Sequence, residues 1–114
     1  LSKKKDFNFI FNISEDGWFG DSIGPKQHFS HSIFRAIETG KYIMRSSNNG
    51  MAAIINPLGQ VEKKLDYGVS GYIDFNKKRD FKTTTFSTYG NKIFFVMILL
   101  YIFLMFSFNR MKNE

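Results

Sequence analysis

The chain is 114 residues long, has no cysteine and carries a net charge of +6. These values leave room for one modest domain, and they exclude disulfides, thiolate metal sites and a cysteine nucleophile within the chain. Aromatic residues make up 18%, fourteen of them Phe, more rings than a soluble core of this size needs. The positive charge suits an anionic partner such as nucleic acid or phospholipid headgroups.

Phe7 to Ile13 (FNFIFNI) is apolar and β-prone, bounded by charge before it and by Ser14-Glu15-Asp16-Gly17 after it. It predicts a largely buried strand of a layered α/β domain. The loop from Ser14 to Pro25 leaves the carboxyl end of that strand, where α/β folds place their binding groups. Pro25 stands near a helix start, and Phe29, Ile33, Ala36, Ile37 and Gly40 recur at helical spacing, so one apolar helix face ends at Gly40-Lys41. Tyr42 to Met44 is a short strand candidate, interrupted by Arg45-Ser46-Ser47-Asn48-Asn49-Gly50, and Met51 to Ile55 is another. Asn56-Pro57-Leu58-Gly59 is a turn signature that makes Gln60 to Leu65 the second arm of a hairpin. Val69 to Phe75 is expected as a last short strand before a basic, polar linker over 76–91.

From Ile93 to Phe108 no residue is charged. As a helix this run spans roughly 24 Å, short of the roughly 30 Å hydrocarbon core, so length alone leaves a membrane span and a buried core helix both open. The run is apolar on every side, Lys92, Asn109 and Arg110 flank it, and a domain this small has little room to enclose it. A transmembrane helix over 92–109 with a short tail, 110–114, is the expectation. Lys77, Lys78, Arg79, Lys82 and Lys92 before the run outweigh Arg110 and Lys112 after it, which by local charge would keep the preceding domain on the cytoplasmic side.

The polar motifs are open to two readings each. Glu15 and Asp16 could form an acid/base pair, but adjacent residues point apart and more often cap a turn or face solvent. Asp21 and Ser22 precede the helix as capping groups. His28 and His31, at i and i+3, could share a metal, yet a zinc site needs further ligands, and no HExxH, Cys pair or third His exists. Arg45 to Gly50 lacks P-loop spacing and reads as a segment that fixes neighbouring loops. No RRM, KH or helix-turn-helix signature accompanies the positive charge, so lipid headgroups account for it better than nucleic acid. Trp18-Phe19 is either core packing or, beside a membrane segment, the lining of an acyl-chain entrance.

Gly17-Trp18-Phe19-Gly20-Asp21-Ser22-Ile23-Gly24-Pro25 with Gln27-His28, then Arg35-Ala36-Ile37-Glu38, then Arg45 to Gly50 and a closing apolar helix, resemble the C-terminal part of the bacterial apolipoprotein N-acyltransferases. The resemblance runs from about Phe7 to about Phe106. It implies an α/β fold: part of a nitrilase-like α-β-β-α sandwich over residues 1–75, from the carbon-nitrogen hydrolase superfamily, followed by one C-terminal transmembrane helix. It implies a multi-pass protein of the bacterial inner membrane with its globular part in the periplasm, against the local charge count. The implied partners are a phospholipid acyl donor and an apolipoprotein acceptor, with no cofactor.

The family's Glu-Lys-Cys triad forms a thioester on the Cys, which splits one difficult acyl transfer into two easier ones. Those three residues lie upstream of the strand at Phe7 to Ile13, and no triad role transfers to any residue here. The resemblance therefore implies a C-terminal fragment, inactive alone, which needs the N-terminal part of the same enzyme. Trp18 and Phe19 are its expected substrate-binding residues. The alternatives are a membrane-anchored nitrilase-type amidase and a small basic membrane protein without enzymatic activity.

Overall fold

A computed structural model describes residues 7–76 and 79–112. The basic residues Lys3, Lys4, Lys5, Lys77 and Lys78 lie outside the described residues. Aromatic and β-branched residues build β1 (Phe9–Glu15), and a single 3-10 turn, Gly17–Phe19, follows it. Helix α1 (Gly24–Thr39) begins with Pro25 in its first turn and ends at Gly40, whose φ of 63° is the left-handed conformation that glycine adopts without steric cost. Strands β2 (Tyr42–Asn48), β3 (Ala52–Ile55) and β4 (Val61–Leu65) complete a four-stranded sheet in the order β1-β2-β3-β4. The β1/β2 pair is parallel, joined by the α1 crossover, and the other two pairs are antiparallel.

The apolar stripe of α1 lies on one face of the sheet. Ala36, Ile43, Ala53 and Ile55 are buried there, with Ile10, Phe29 and Ile33 packed around them. The hairpin after β3 forms as its sequence predicts. Asn56 is buried and its Oδ1 accepts the N–H groups of Leu58 and Gln60, each at 3.0 Å.

Three elements differ from expectation. β1 leaves its apolar face of Phe9, Phe11 and Ile13 uncovered, with Phe11 66% and Ile13 86% exposed, so the strand is half buried. β2 continues through Arg45-Ser46-Ser47-Asn48 because parallel pairing with β1 runs in register from Phe9↔Tyr42 to Glu15↔Asn48. Val69 to Phe75 forms no strand. It makes no ladder with β4 and is tethered instead by Lys63 Nζ donating to the Asp74 carbonyl at 2.7 Å.

The segment expected as a linker is docked. Tyr42 is buried against the rings of Phe75 and Phe81, and burial pushes its hydroxyl pKa up. That hydroxyl donates to Glu62 Oε1 at 3.1 Å and accepts the Arg79 N–H at 3.2 Å. A short helix, α2 (Thr85–Tyr89), is capped by Thr84 Oγ1, which accepts the Ser87 N–H and donates to the Ile37 carbonyl at 2.6 Å. Helix α3 (Lys92–Lys112) follows, longer than the uncharged run alone. Its 21 residues span about 31 Å, long and apolar enough to cross a membrane, and none of it is buried in the chain.

Candidate functional site

The loop after β1 is a tied turn. Glu15 Oε1 accepts the Gly17 N–H at 2.6 Å, while Oε2 accepts from Asn48 Nδ2 at 2.6 Å, joining the turn to the end of β2. The Phe19 N–H donates to the Asp16 carbonyl at 3.1 Å, and the Asp16 N–H to the Asn48 carbonyl at 3.1 Å. Glu15 thus closes a turn at the surface, and Asp16, its neighbour, points the other way and is fully buried.

Asp16 is the centre of a buried polar cluster. Its Oδ2 accepts from Arg45 Nη2 at 2.7 Å, and both side chains are fully buried. Its Oδ1 lies 2.6 Å from His28 Nδ1. That nitrogen therefore carries the hydrogen, and the 3.4 Å approach of Arg45 Nη2 to it brings two donors together without a bond. The rest of the guanidinium is matched as well: Nη1 donates to Asn12 Oδ1 and Ser32 Oγ, both at 3.1 Å, and Nε to the Met51 carbonyl at 3.2 Å. Burial by itself would raise the Asp16 pKa. The neighbouring Ser47 hydroxyl, His28 and Arg45 each favour the charged form and together hold the carboxyl below its ordinary range.

Trp18 and Phe19 are separated in role. The Trp18 indole Nε1 donates to the Glu15 carbonyl at 2.8 Å, and the residue is 81% exposed. Phe19 packs edge-to-face on the His28 ring, centroids 5.8 Å apart, and lies so close to Gly24 that a Cβ there would collide with it. Beside the turn, a cleft at the carboxyl ends of β1 and β2 is lined by Ile13, Ser14, Glu15, Ser46, Ser47 and Asn48. The buried Ser14 hydroxyl oxygen beside it has no hydrogen-bond partner among the described residues.

Other sequence candidates are placed differently. His31 is exposed on α1, away from the Asp16 contact that engages His28. Among the described residues no group of three or more His, Asp and Glu side chains could hold a metal ion. The N-cap of α1 is Ile23. Ser22 Oγ accepts the Gly24 N–H at 3.1 Å, while Asp21 does not cap the helix. The Asp16-His28-Arg45 cluster escaped the sequence reading because its members come from three segments. One signal for it existed: an Arg within the apolar Tyr42-Ile43-Met44 strand must be paired with a buried carboxylate if the strand is central.

A strand whose carboxyl end opens into a tied Gly-Trp-Phe-Gly turn, then a crossover helix and a parallel strand, is matched over residues 2–76 by the carbon-nitrogen hydrolase family. The chain belongs to that family. Individual relatives carry the name apolipoprotein N-acyltransferase. The apolipoprotein N-acyltransferase of Rickettsia bellii is 47% identical over 107 residues, which are 92% of this chain and 20% of that protein. The Agrobacterium fabrum protein of the same name is 39% identical over 108 residues, 91% of this chain and 20% of its own length. The Wigglesworthia glossinidia brevipalpis protein is 44% identical over 103 residues, 87% and 20%. The chain thus spans about a fifth of the length of these curated relatives.

Proposed function

We propose that this chain works as the C-terminal part of an apolipoprotein N-acyltransferase, moving an acyl chain from a phospholipid to the N-terminal diacylglyceryl-cysteine of apolipoproteins. The observation that carries the reading is the span of the similarity. The 107 aligned residues leave room for few positions outside the alignment, so the match takes in sheet domain and apolar helix together. A soluble hydrolase of the same family has no use for such a helix. In this reading the triad lies in an upstream part of the same polypeptide, which suits a shared length of about a fifth with no cysteine in it. The chain alone is then inactive.

In the reaction the upstream base takes the proton of the cysteine thiol, the thiolate attacks the donor ester carbonyl, an S–C bond forms, the ester C–O bond breaks and lysophospholipid leaves with that proton from the base. The acceptor amine then attacks the thioester, the amide N–C bond forms, the S–C bond breaks, and the proton lost by the amine passes through the base to the released sulfur. The Trp18-Phe19 turn borders the mouth of that site and contacts the acyl chain. Trp18→Ala in the whole enzyme is expected to slow acyl transfer with the thermal midpoint unchanged; an unaltered turnover of donor and acceptor would make the turn structural. α3 spans the inner membrane with the domain in the periplasm, so protease should reach the domain only from the periplasmic side. Access only from the cytoplasmic side would refute that placement.

A further inference from the structure

Phe19 is the more constrained ring of the pair. Its backbone N–H is held by the Asp16 carbonyl, one side of the ring rests on Gly24 and another on the His28 ring. The His28 ring is itself fixed by its Nδ1–H bond to Asp16, and Asp16 by Arg45, whose fork also grips Asn12 of β1 and Ser32 of α1. Trp18 is tethered at its indole Nε1 and otherwise largely exposed. We propose that Asp16, Arg45 and His28 are positioning residues that hold Phe19 as a fixed wall of the acyl-chain path, so that Phe19 sets preference for donor chain length. The proposal rests on the acyltransferase reading and on acyl contact at this turn.

Chain-length discrimination depends on a wall that stays put, because a ring that swings aside exchanges apolar contact for water without resisting either donor. None of the three polar side chains needs to touch the substrate. Their effect is transmitted through one aromatic contact, and it should disappear when that contact does.

The test is the ratio of kcat/KM for palmitoyl over octanoyl phospholipid, measured on the whole enzyme in mixed micelles. His28→Gln keeps a polar group near Asp16 but removes the ring behind Phe19, and it should lower the ratio about fourfold, the factor that goes with burying one methylene. Phe19→Ala should lower it at least as much, and adding His28→Gln to Phe19→Ala should change it no further. A purely structural role for His28 would reduce both donors equally and leave the ratio unchanged. If Phe19→Ala loses the preference while His28→Gln retains it, the positioning proposal is overturned with acyl contact intact. If Phe19→Ala itself retains the preference, the acyl-contact reading fails and takes the proposal with it.

Discussion

Arg45 places a full positive charge where sheet and helix meet, and such a charge costs several kcal/mol to desolvate unless every donor is matched. Here its partners are the Asp16 carboxylate, two side-chain oxygens and a backbone carbonyl. Removing it leaves Asp16 buried with only His28 and the Ser47 hydroxyl nearby. Arg45→Leu should therefore destabilise the whole protein by about 3–5 kcal/mol, read from thermal or denaturant unfolding in detergent. The same pair sets an acid limit. The Asp16 pKa is held below its ordinary 3.8, so its charge stabilises the fold fully above that value, and the contribution disappears as pH falls through the lowered folded value. Asp16→Asn should be less stable than the native protein at neutral pH, and the gap should narrow as pH falls below about 4. A gap that stays constant on acidification would show that the charge of Asp16 contributes nothing.

Local chemistry made some elements legible from the sequence. The period of Phe29, Ile33, Ala36 and Ile37 with a closing Gly40 marked α1, and Asn56-Pro57-Leu58-Gly59 marked the hairpin. What could not be read depended on partners distant in sequence. The length of β2 is set by its register with β1, and the buried cluster by three segments that meet only in the fold. The uncovered face of β1 has the same origin. Phe9, Phe11 and Ile13 alternate with the inward Ile10, Asn12 and Ser14 and stay exposed here, although an apolar strand face belongs against another layer of a sandwich. If another layer of the whole enzyme covers that face, Phe11→Asp should cost more than about 3 kcal/mol or abolish folding, as burial of an unpaired charge does. A change within about 0.5 kcal/mol would mean that the face stays in water.

At the scale of the molecule, the Trp18-Phe19 turn and the departure of α3, the two features proposed to meet lipid, lie at opposite ends of α1. The Trp18-Phe19 turn precedes its first residue, whereas α2 is fastened to its last turn through Thr84 and the Ile37 carbonyl, with Ser87 against Gly40. The sixteen residues between them cover about 24 Å, so the rings are not beside the point where α3 departs. α3 also leaves from a fixed base, since Tyr42, Phe81 and Thr84 hold the preceding segment on the domain. For α3 to cross a bilayer while Trp18 and Phe19 meet acyl chains in it, α1 must lie along the membrane surface, with Phe86 and Tyr89 of α2 at the same level as the ring pair. Aromatic side chains at both ends suit that interface. A photoreactive phenylalanine analogue placed at position 18 or at position 86 of the whole protein in membranes should then cross-link to phospholipid at both sites. Labelling at 86 without labelling at 18 would mean that the domain stands upright on its α2 end, and an acyl chain would have to leave the bilayer plane to reach the turn.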